Sequence, residues 1–180
     1  MTFKKYFDTS KEYMGNKSKE FYSLCLVSDT ANLMEKIKYF KNENALLLAE
    51  IGDVMFSAFS LMNVFNIDIS TSPIDIEDMK LNTDSLDKKF IISEIDLLQS
   101  IILELGIISN IVTENMKRDI TEYNDDDLKR LKNCLYSYVL YMLILICKFN
   151  FSTDRVLDNN MQRLKAKAKE LNMKIIKDGE

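Results

Sequence analysis

Hydrophobic residues recur along this chain at intervals of three and four, which is the spacing of one face of an α-helix. The pattern predicts five main helices, over residues 20–40, 45–67, 90–118, 128–149 and 153–171. Residues 1–18 are expected to form a short lead-in or a partial helix, and the third helix is expected to break near Gly106. The polar segment 68–88 contains the only proline and is the predicted linker. The charged tail after residue 171 is expected to fray.

Composition supports an all-α fold in a single domain that spans residues 1–180. The chain has only four glycines and one proline, fewer than turn-rich β architectures need. The short polar turn at residues 41–44 makes the first two helices antiparallel neighbours. The sequence therefore predicts a helical bundle built from the five main helices.

The second predicted helix, residues 45–67, is apolar around most of its circumference but carries two acids. Glu50 and Asp53 are three residues apart, so both carboxylates lie on nearly the same face, about 60° apart. Their apolar neighbours predict that this face is partly buried, where unpaired carboxylates are costly to desolvate. We therefore expect a compensating lysine or arginine, shared protons or a divalent metal ion.

The first predicted helix adds Asp29 and Asn32, which are also three residues apart on one face. In an antiparallel pair the oxygen-bearing side chains of the two helices are expected to converge. Such oxygens are the ligands that Mg²⁺ and Mn²⁺ prefer, and Mg²⁺ is usually shared with substrate phosphates. The pattern predicts phosphate chemistry at a metal site with these ligands: Asp29, Asn32, Glu50 and Asp53.

Composition also excludes several classes of chemistry. The chain has no histidine, which removes histidine-based acid–base and nucleophilic catalysis and most zinc sites. The net charge of −4 counts against a nucleic-acid binder. The three cysteines lack CxxC spacing and are expected to be reduced core residues of a cytoplasmic protein. The most apolar segment, residues 135–147, is 13 residues long and too short to span a bilayer, so no membrane partner is predicted.

A weak internal repeat relates residues 20–67 to residues 90–171. Residues 34–38 align with 113–117, and residues 65–67 align with 149–151. The acidic and amide positions of the first half correspond in the second half to Ile108, Ile111, Cys134 and Ser137. The repeat predicts that the first half kept a polar site and that the corresponding residues of the second half only pack between helices. A chance alignment of two amphipathic helix pairs is the alternative.

Three segments carry a resemblance to a known family. Residues 50–53, with the sequence EIGD, resemble the E-x-G-D motif of the all-α nucleoside triphosphate pyrophosphohydrolases, the MazG-like and dimeric-dUTPase superfamily. Residues 26–38 resemble the surroundings of that family's ExxE motif, with Asp29 and Asn32 in place of the glutamates. Residues 160–167 are similar to its late N-x-x-K-L-x-x-R pattern, with Arg163 and Lys167 at the basic positions. The resemblance covers residues 20–67 and 128–170.

The resemblance implies a helical bundle, assembled as a dimer or a higher oligomer, that hydrolyses a nucleoside triphosphate to a monophosphate and pyrophosphate. It implies catalytic roles for Glu50 and Asp53, and one carboxylate would orient the attacking water; Glu50 is the first candidate, although the sequence does not select it over the others. Mg²⁺ or Mn²⁺ would be held by side chains of the first two helices: Asp29, Asn32, Glu50 and Asp53. Phosphate oxygens would be bound by side chains of the last helix: Asn160, Arg163 and Lys167. Some family members contain two fused halves, which suits the repeat.

Two departures from the family pattern keep another function open. Asp29 is one methylene shorter than the glutamate of the first motif, and Asn32 offers only a neutral oxygen. The alternative is a catalytically inactive helical scaffold or a protein-interaction module, whose sign would be a large exposed apolar patch. For the acids the alternative is an ion pair with Lys36 or Lys38, and for the last helix it is a solvated basic end.

Overall fold

A computed structural model describes residues 3–72, 92–118 and 122–178, with side chains up to residue 171. Within these ranges the chain forms six α-helices and no strand, which confirms the all-α prediction. The helices are α1 Phe3–Ser10, α2 Lys19–Tyr39, α3 Asn44–Val64, α4 Glu94–Lys117, α5 Asp125–Lys148 and α6 Thr153–Asp178. Short 3₁₀ turns occupy Lys11–Tyr13 and Ile69–Thr71.

Within the described residues, the five predicted main helices correspond to α2–α6, and the short α1 is the partial helix expected in residues 1–18. The predicted break near Gly106 is wrong, because α4 continues through this residue. A glycine lowers the stability of a helix by only about 1 kcal/mol relative to alanine, which the packing of α4 outweighs. The last helix continues to Asp178, beyond its predicted end at residue 171. Pro73 and most of the predicted linker lie outside the described residues.

Polar residues define where the helices begin. Ser18, Ser93 and Asn124 each accept a hydrogen bond from a backbone N–H three residues further on, which satisfies one otherwise unpaired donor. Ser152 accepts a hydrogen bond in the same way from the backbone of Arg155 at 3.2 Å. Short polar side chains therefore cap the N-termini of α2, α4, α5 and α6.

Helix α3 is the centre of the fold and packs against α1, α2, α5 and α6. Most of its side chains are buried, as its continuous apolar sequence predicts. Phe59 lies against the rings of Phe3, Tyr6 and Phe7 at centroid distances of 5.6–6.0 Å, which attaches α1 to the core. Because three other helices meet α3 besides α1, any polar residue on α3 lies at or near a helix–helix boundary.

Two helical hairpins, α2–α3 and α4–α5, end in the same way. Asn66 and Asn150 follow α3 and α5, and both have left-handed backbone conformations with φ of 54° and 56°. In each case the next residue donates its N–H to a carbonyl five residues back, from Ile67 to Met62 and from Phe151 to Ile146. The predicted alignment of residues 65–67 with 149–151 therefore matches in backbone conformation as well as in sequence.

Three helices of the described chain, α3, α4 and α5, are long and apolar enough to cross a membrane by length and composition. The apolar segment 135–147 is part of the longer α5. Within the bundle, 67% and 61% of the most apolar stretches of α3 and α5 are buried, whereas only 28% of that of α4 is buried. Helix α4 therefore exposes much more apolar surface than the other two.

Candidate functional site

A cavity of about 400 Å³ lies among α2, α3, α6 and the segment that joins α1 to α2. This volume is within the range of small-molecule sites, about 300–1,000 Å³. Two acids from different helices, Asp29 on α2 and Asp53 on α3, line it together with Lys167 of α6. The remaining lining residues are mostly aromatic or apolar: Tyr13, Gly15, Lys17, Phe21, Tyr22, Cys25, Phe56, Ser57 and Leu164.

Asp29 is half-buried and accepts a hydrogen bond from the hydroxyl of Ser57, 2.5 Å away on α3. Burial raises the pKa of Asp29, and the nearby charge of Asp53 raises it further. The Ser57 hydrogen bond and the positive charge of Lys167 oppose this rise. The carboxyl of Asp29 is therefore held across the α2–α3 contact and binds a proton more tightly than a solvated aspartate.

Asp53 is bound by two side chains of α6. Arg163 donates a hydrogen bond to one carboxylate oxygen at 2.8 Å, and the amide of Asn160 donates to the other at 2.9 Å. The second guanidinium nitrogen of Arg163 donates to the carbonyl of Ala49 at 2.9 Å, which fixes the orientation of the fork. The compensating cation of Asp53 is thus Arg163, whereas Glu50 is influenced by the positive charge of Lys36 more than by that of Arg163.

Asn160 connects this ion pair to α1. It is completely buried, and its carbonyl oxygen accepts a hydrogen bond from the hydroxyl of Tyr6 at 2.5 Å. Gly52 lies directly beneath it, and a Cβ at that position would lie 2.8 Å from the Cβ of Asn160. The glycine of the EIGD segment therefore allows α6 to approach α3 closely enough for Asn160 to reach Asp53. Burial raises the pKa of Tyr6, which keeps its hydroxyl protonated as a donor.

The other residues predicted for the site are placed less centrally. Glu50 is half-buried on α3, and burial together with the charge of Asp53 raises its pKa. Lys167 is exposed on the cavity wall. Asn32 is exposed on α2 and, among the described residues, is not one of those that line the cavity. The structure thus brings Asp29, Asp53 and Lys167 to one cavity and leaves Glu50 beside it.

The predicted four-ligand metal site is not formed as a single cluster. In the part of the chain that is described, no three histidine, cysteine or acidic side chains come together as a metal-binding group. Mg²⁺, however, is commonly bound through one or two carboxylates plus substrate phosphates, and each carboxylate oxygen can accept two interactions. Asp29 and Asp53 therefore fit an ion that arrives with a phosphate ligand better than a closed protein site.

Sequence reasoning missed Tyr6, Ser57 and the aromatic side chains of the cavity. Ser57 follows Asp53 by one helical turn on the same face of α3, so its place beside the acids was readable from the spacing alone. Tyr6 contacts the site through a partner far along the chain, which no local pattern reports. The cavity can accordingly hold an anionic group with its counter-ion beside an apolar or aromatic group.

Comparison of the chain with protein-family models, curated proteins and solved structures finds no match.

Proposed function

We propose that the protein hydrolyses a nucleoside triphosphate to a nucleoside monophosphate and pyrophosphate, in a reaction that needs Mg²⁺ or Mn²⁺. One observation carries the proposal: Asp29 and Asp53, from two helices, line one cavity of about 400 Å³ together with Lys167. The EIGD sequence and its resemblance to the pyrophosphohydrolase motif support the same conclusion.

The polar residues divide into those that meet the substrate and those that position others. Lys167 is exposed on the cavity wall and contacts a phosphate oxygen. Arg163 and Asn160 are positioning residues, since both already bind the carboxylate of Asp53. Glu50 lies beside the cavity, three residues before Asp53 on α3, and is the carboxylate assigned to orient the attacking water and accept its proton.

Asp29 and Asp53 are the carboxylates that would hold the metal ion. When bound, Mg²⁺ neutralises phosphate charge and polarises the phosphoryl oxygens. The chain's own contribution is a pair of acids kept close together in spite of their repulsion. Arg163 and Lys167 lower that repulsion, and Ser57 fixes one carboxylate by a hydrogen bond.

The proposal also covers the oligomeric state of the protein and the duplication from which its two helix pairs arose. The chain is a single domain of two fused MazG-like helix pairs, supported by the matching ends of α3 and α5. It acts as a homodimer in the cytoplasm, without nucleic acid or membrane partners. The exposed apolar side chains of α4 support the dimer: Ile95, Ile102, Leu103 and Met116.

The test is pyrophosphate release from a panel of canonical and modified nucleoside triphosphates with Mg²⁺ or Mn²⁺. Asp29→Asn and Asp53→Asn are expected to lower the rate about 100-fold, the order seen when one charge-stabilising group is lost. Asp8→Asn is the matched control, because Asp8 is exposed on α1 and pairs only with Lys11 among the contacts described. Silence across the panel, or a full rate in Asp53→Asn, contradicts the proposal.

A second candidate function is a helical interaction module without catalysis. It is favoured by α4, whose exposed side chains include Ile95 at 69%, Leu103 at 64% and Ile102 at 54% exposure. Ile95, Ile102 and Met116 fall at multiples of seven residues, the spacing of one side of a paired helix. A silent nucleotide panel, together with self-association that Ile102→Ser abolishes, would favour this function over the first.

A further inference from the structure

The cavity changes in chemical character along α2. Asp29 lines one end, near Asp53 and Lys167, while Phe21 and Tyr22 line the wall toward the start of the helix. At a rise of about 1.5 Å per residue, Phe21 lies about 12 Å from Asp29 along the helix axis. One end therefore suits a charged group, and the other suits a flat apolar group.

The aromatic end of the cavity is built by specific contacts. The hydroxyl of Tyr22 donates to the carbonyl of Gly15 at 2.7 Å, which ties the segment between α1 and α2 to the helix. Phe21 lies edge-on to Tyr22 at a centroid distance of 5.4 Å. The ammonium of Lys17 lies 5.7 Å from the centre of the Phe21 ring. This wall is thus preformed, with the Lys17 ammonium over one face of the Phe21 ring.

Phe21 is 45% exposed, the most exposed of the aromatic residues described in the lining of this cavity. A large apolar ring at the mouth of a cavity can accept a second flat ring against the face that the Lys17 ammonium does not occupy. Stacking of a nucleobase on an aromatic side chain is favourable for every base, because each base has a π-face. The observed arrangement suits a ligand with an aromatic base at one end and phosphate at the other.

We propose that this cavity binds the nucleoside monophosphate part of a nucleotide, with the base stacked on Phe21 and the phosphate directed toward Lys167. The inference rests on the proposed function in taking the ligand to be a nucleotide. It goes further by assigning base recognition to residues that the sequence did not single out. Since stacking is tolerant of base identity, the site accepts both purines and pyrimidines.

The test is calorimetric titration of the full chain with adenosine monophosphate and Mg²⁺, with ribose 5-phosphate as the probe that lacks a base. Adenosine monophosphate is expected to bind at least 10-fold more tightly than ribose 5-phosphate. Phe21→Ala is expected to raise its dissociation constant about 10-fold and to leave that of ribose 5-phosphate unchanged. Phe21→Leu keeps the bulk but lacks the π-face, so it is expected to behave like Phe21→Ala.

The matched control is Leu24→Ala, on the same helix at 68% exposure and outside the cavity lining among the described residues. Equal effects of Phe21→Ala and Leu24→Ala, equal affinity for the two probes, or no binding at all would overturn the inference. Pyrophosphate release that is indifferent to Phe21→Ala also overturns it and leaves the proposed function intact. Binding that depends on Phe21, combined with a silent nucleotide panel, supports the inference and overturns the proposed function.

Discussion

The α2–α3 and α4–α5 hairpins have the same layout but bury different chemistry. In the first, Asp29 and Asp53 line a cavity and accept hydrogen bonds from neighbouring helices. In the second, the positions aligned with Asp29 and Glu50 are Ile108 and Cys134, and both are buried. A hairpin of this layout therefore forms with apolar side chains at these positions. Polar residues that the fold does not need are the expected mark of a functional site.

The second hairpin also contains polar groups at the contact between its two helices. Cys134 and Glu104 are neighbours across α4 and α5, and burial together with this glutamate raises the pKa of Cys134 to about 12. In the first hairpin α6 lies against α3 and supplies Asn160 and Arg163 to the acid. The site thus depends on three helices. Mutations at the contacts of α6 with α3 therefore test whether the two hairpins differ for the reason given.

The largest expected effect comes from removing the amide that joins α6 to α1 and α3. Asn160→Ala leaves the hydroxyl of Tyr6 buried without its partner and takes a donor from Asp53. We expect a loss of about 2–4 kcal/mol in the free energy of unfolding, measured by urea denaturation. The counterpart in the second hairpin is Asn115, also buried, whose amide donates to the carbonyl of Ile111 in its own helix.

Asn115→Ala is expected to lower the free energy of unfolding by no more than about 1 kcal/mol. The carbonyl of Ile111 belongs to a continuous helix, and the contact of Asn115 with Asp127 is long at 3.4 Å. If the two asparagine variants were equally destabilised, the buried network around Asn160 would have no special role in joining the helices.

The next largest effect is the change in the free energy of unfolding when either helical glycine is replaced by alanine. The sign of this change differs between the two hairpins. Gly52→Ala is expected to lower the free energy of unfolding by about 1–2 kcal/mol, because the added Cβ overlaps Asn160. Gly106→Ala is expected to raise it by about 0.5–1 kcal/mol, since nothing lies within 4 Å of the added Cβ and alanine favours the helix. Thermal unfolding of both variants checks this, and a stabilised Gly52→Ala would show that α6 does not lie closely on α3.

The sequence predicted the helices better than their tertiary contacts. Periodicity is a local signal, and it identified α2 to α5 to within about four residues at each end, whereas α6 extends from its predicted end at residue 171 to Asp178. Gly106 misled the prediction, since glycine weakens a helix but does not end one that is held by packing.

The candidate site was predictable where its residues lie on adjacent turns. The spacing of Glu50 and Asp53 placed them correctly on a half-buried face of α3. The roles of Arg163 and Asn160 were expected to be phosphate contacts, whereas in the structure both bind Asp53. That difference depends on the approach of α6 to α3 at Gly52, a tertiary feature that no pattern within one helix reveals.

The smallest expected effect is a change in how stability depends on pH. Burial raises the pKa of Asp29 above its ordinary value of 3.8, so the folded chain holds this proton more tightly than the unfolded chain. The free energy of unfolding therefore falls as the pH rises from the ordinary pKa through the raised one. Glu50 acts with the same sign, because burial and Asp53 raise its pKa as well.

Asp29→Asn removes one titrating group and is expected to flatten this fall, as measured by urea denaturation from about pH 4 to about pH 8. The counterpart is Glu114 on α4, where a hydrogen bond from Lys117 lowers the pKa. Its contribution is lost as the pH falls, so Glu114→Gln changes the profile in the opposite sense and only slightly. If both variants shifted the profile in the same direction, burial would not disfavour the charged forms of Asp29 and Glu50 any more than it does for a solvated carboxyl group. The distinction between a hairpin that carries a site and one that only packs would then lose its electrostatic basis.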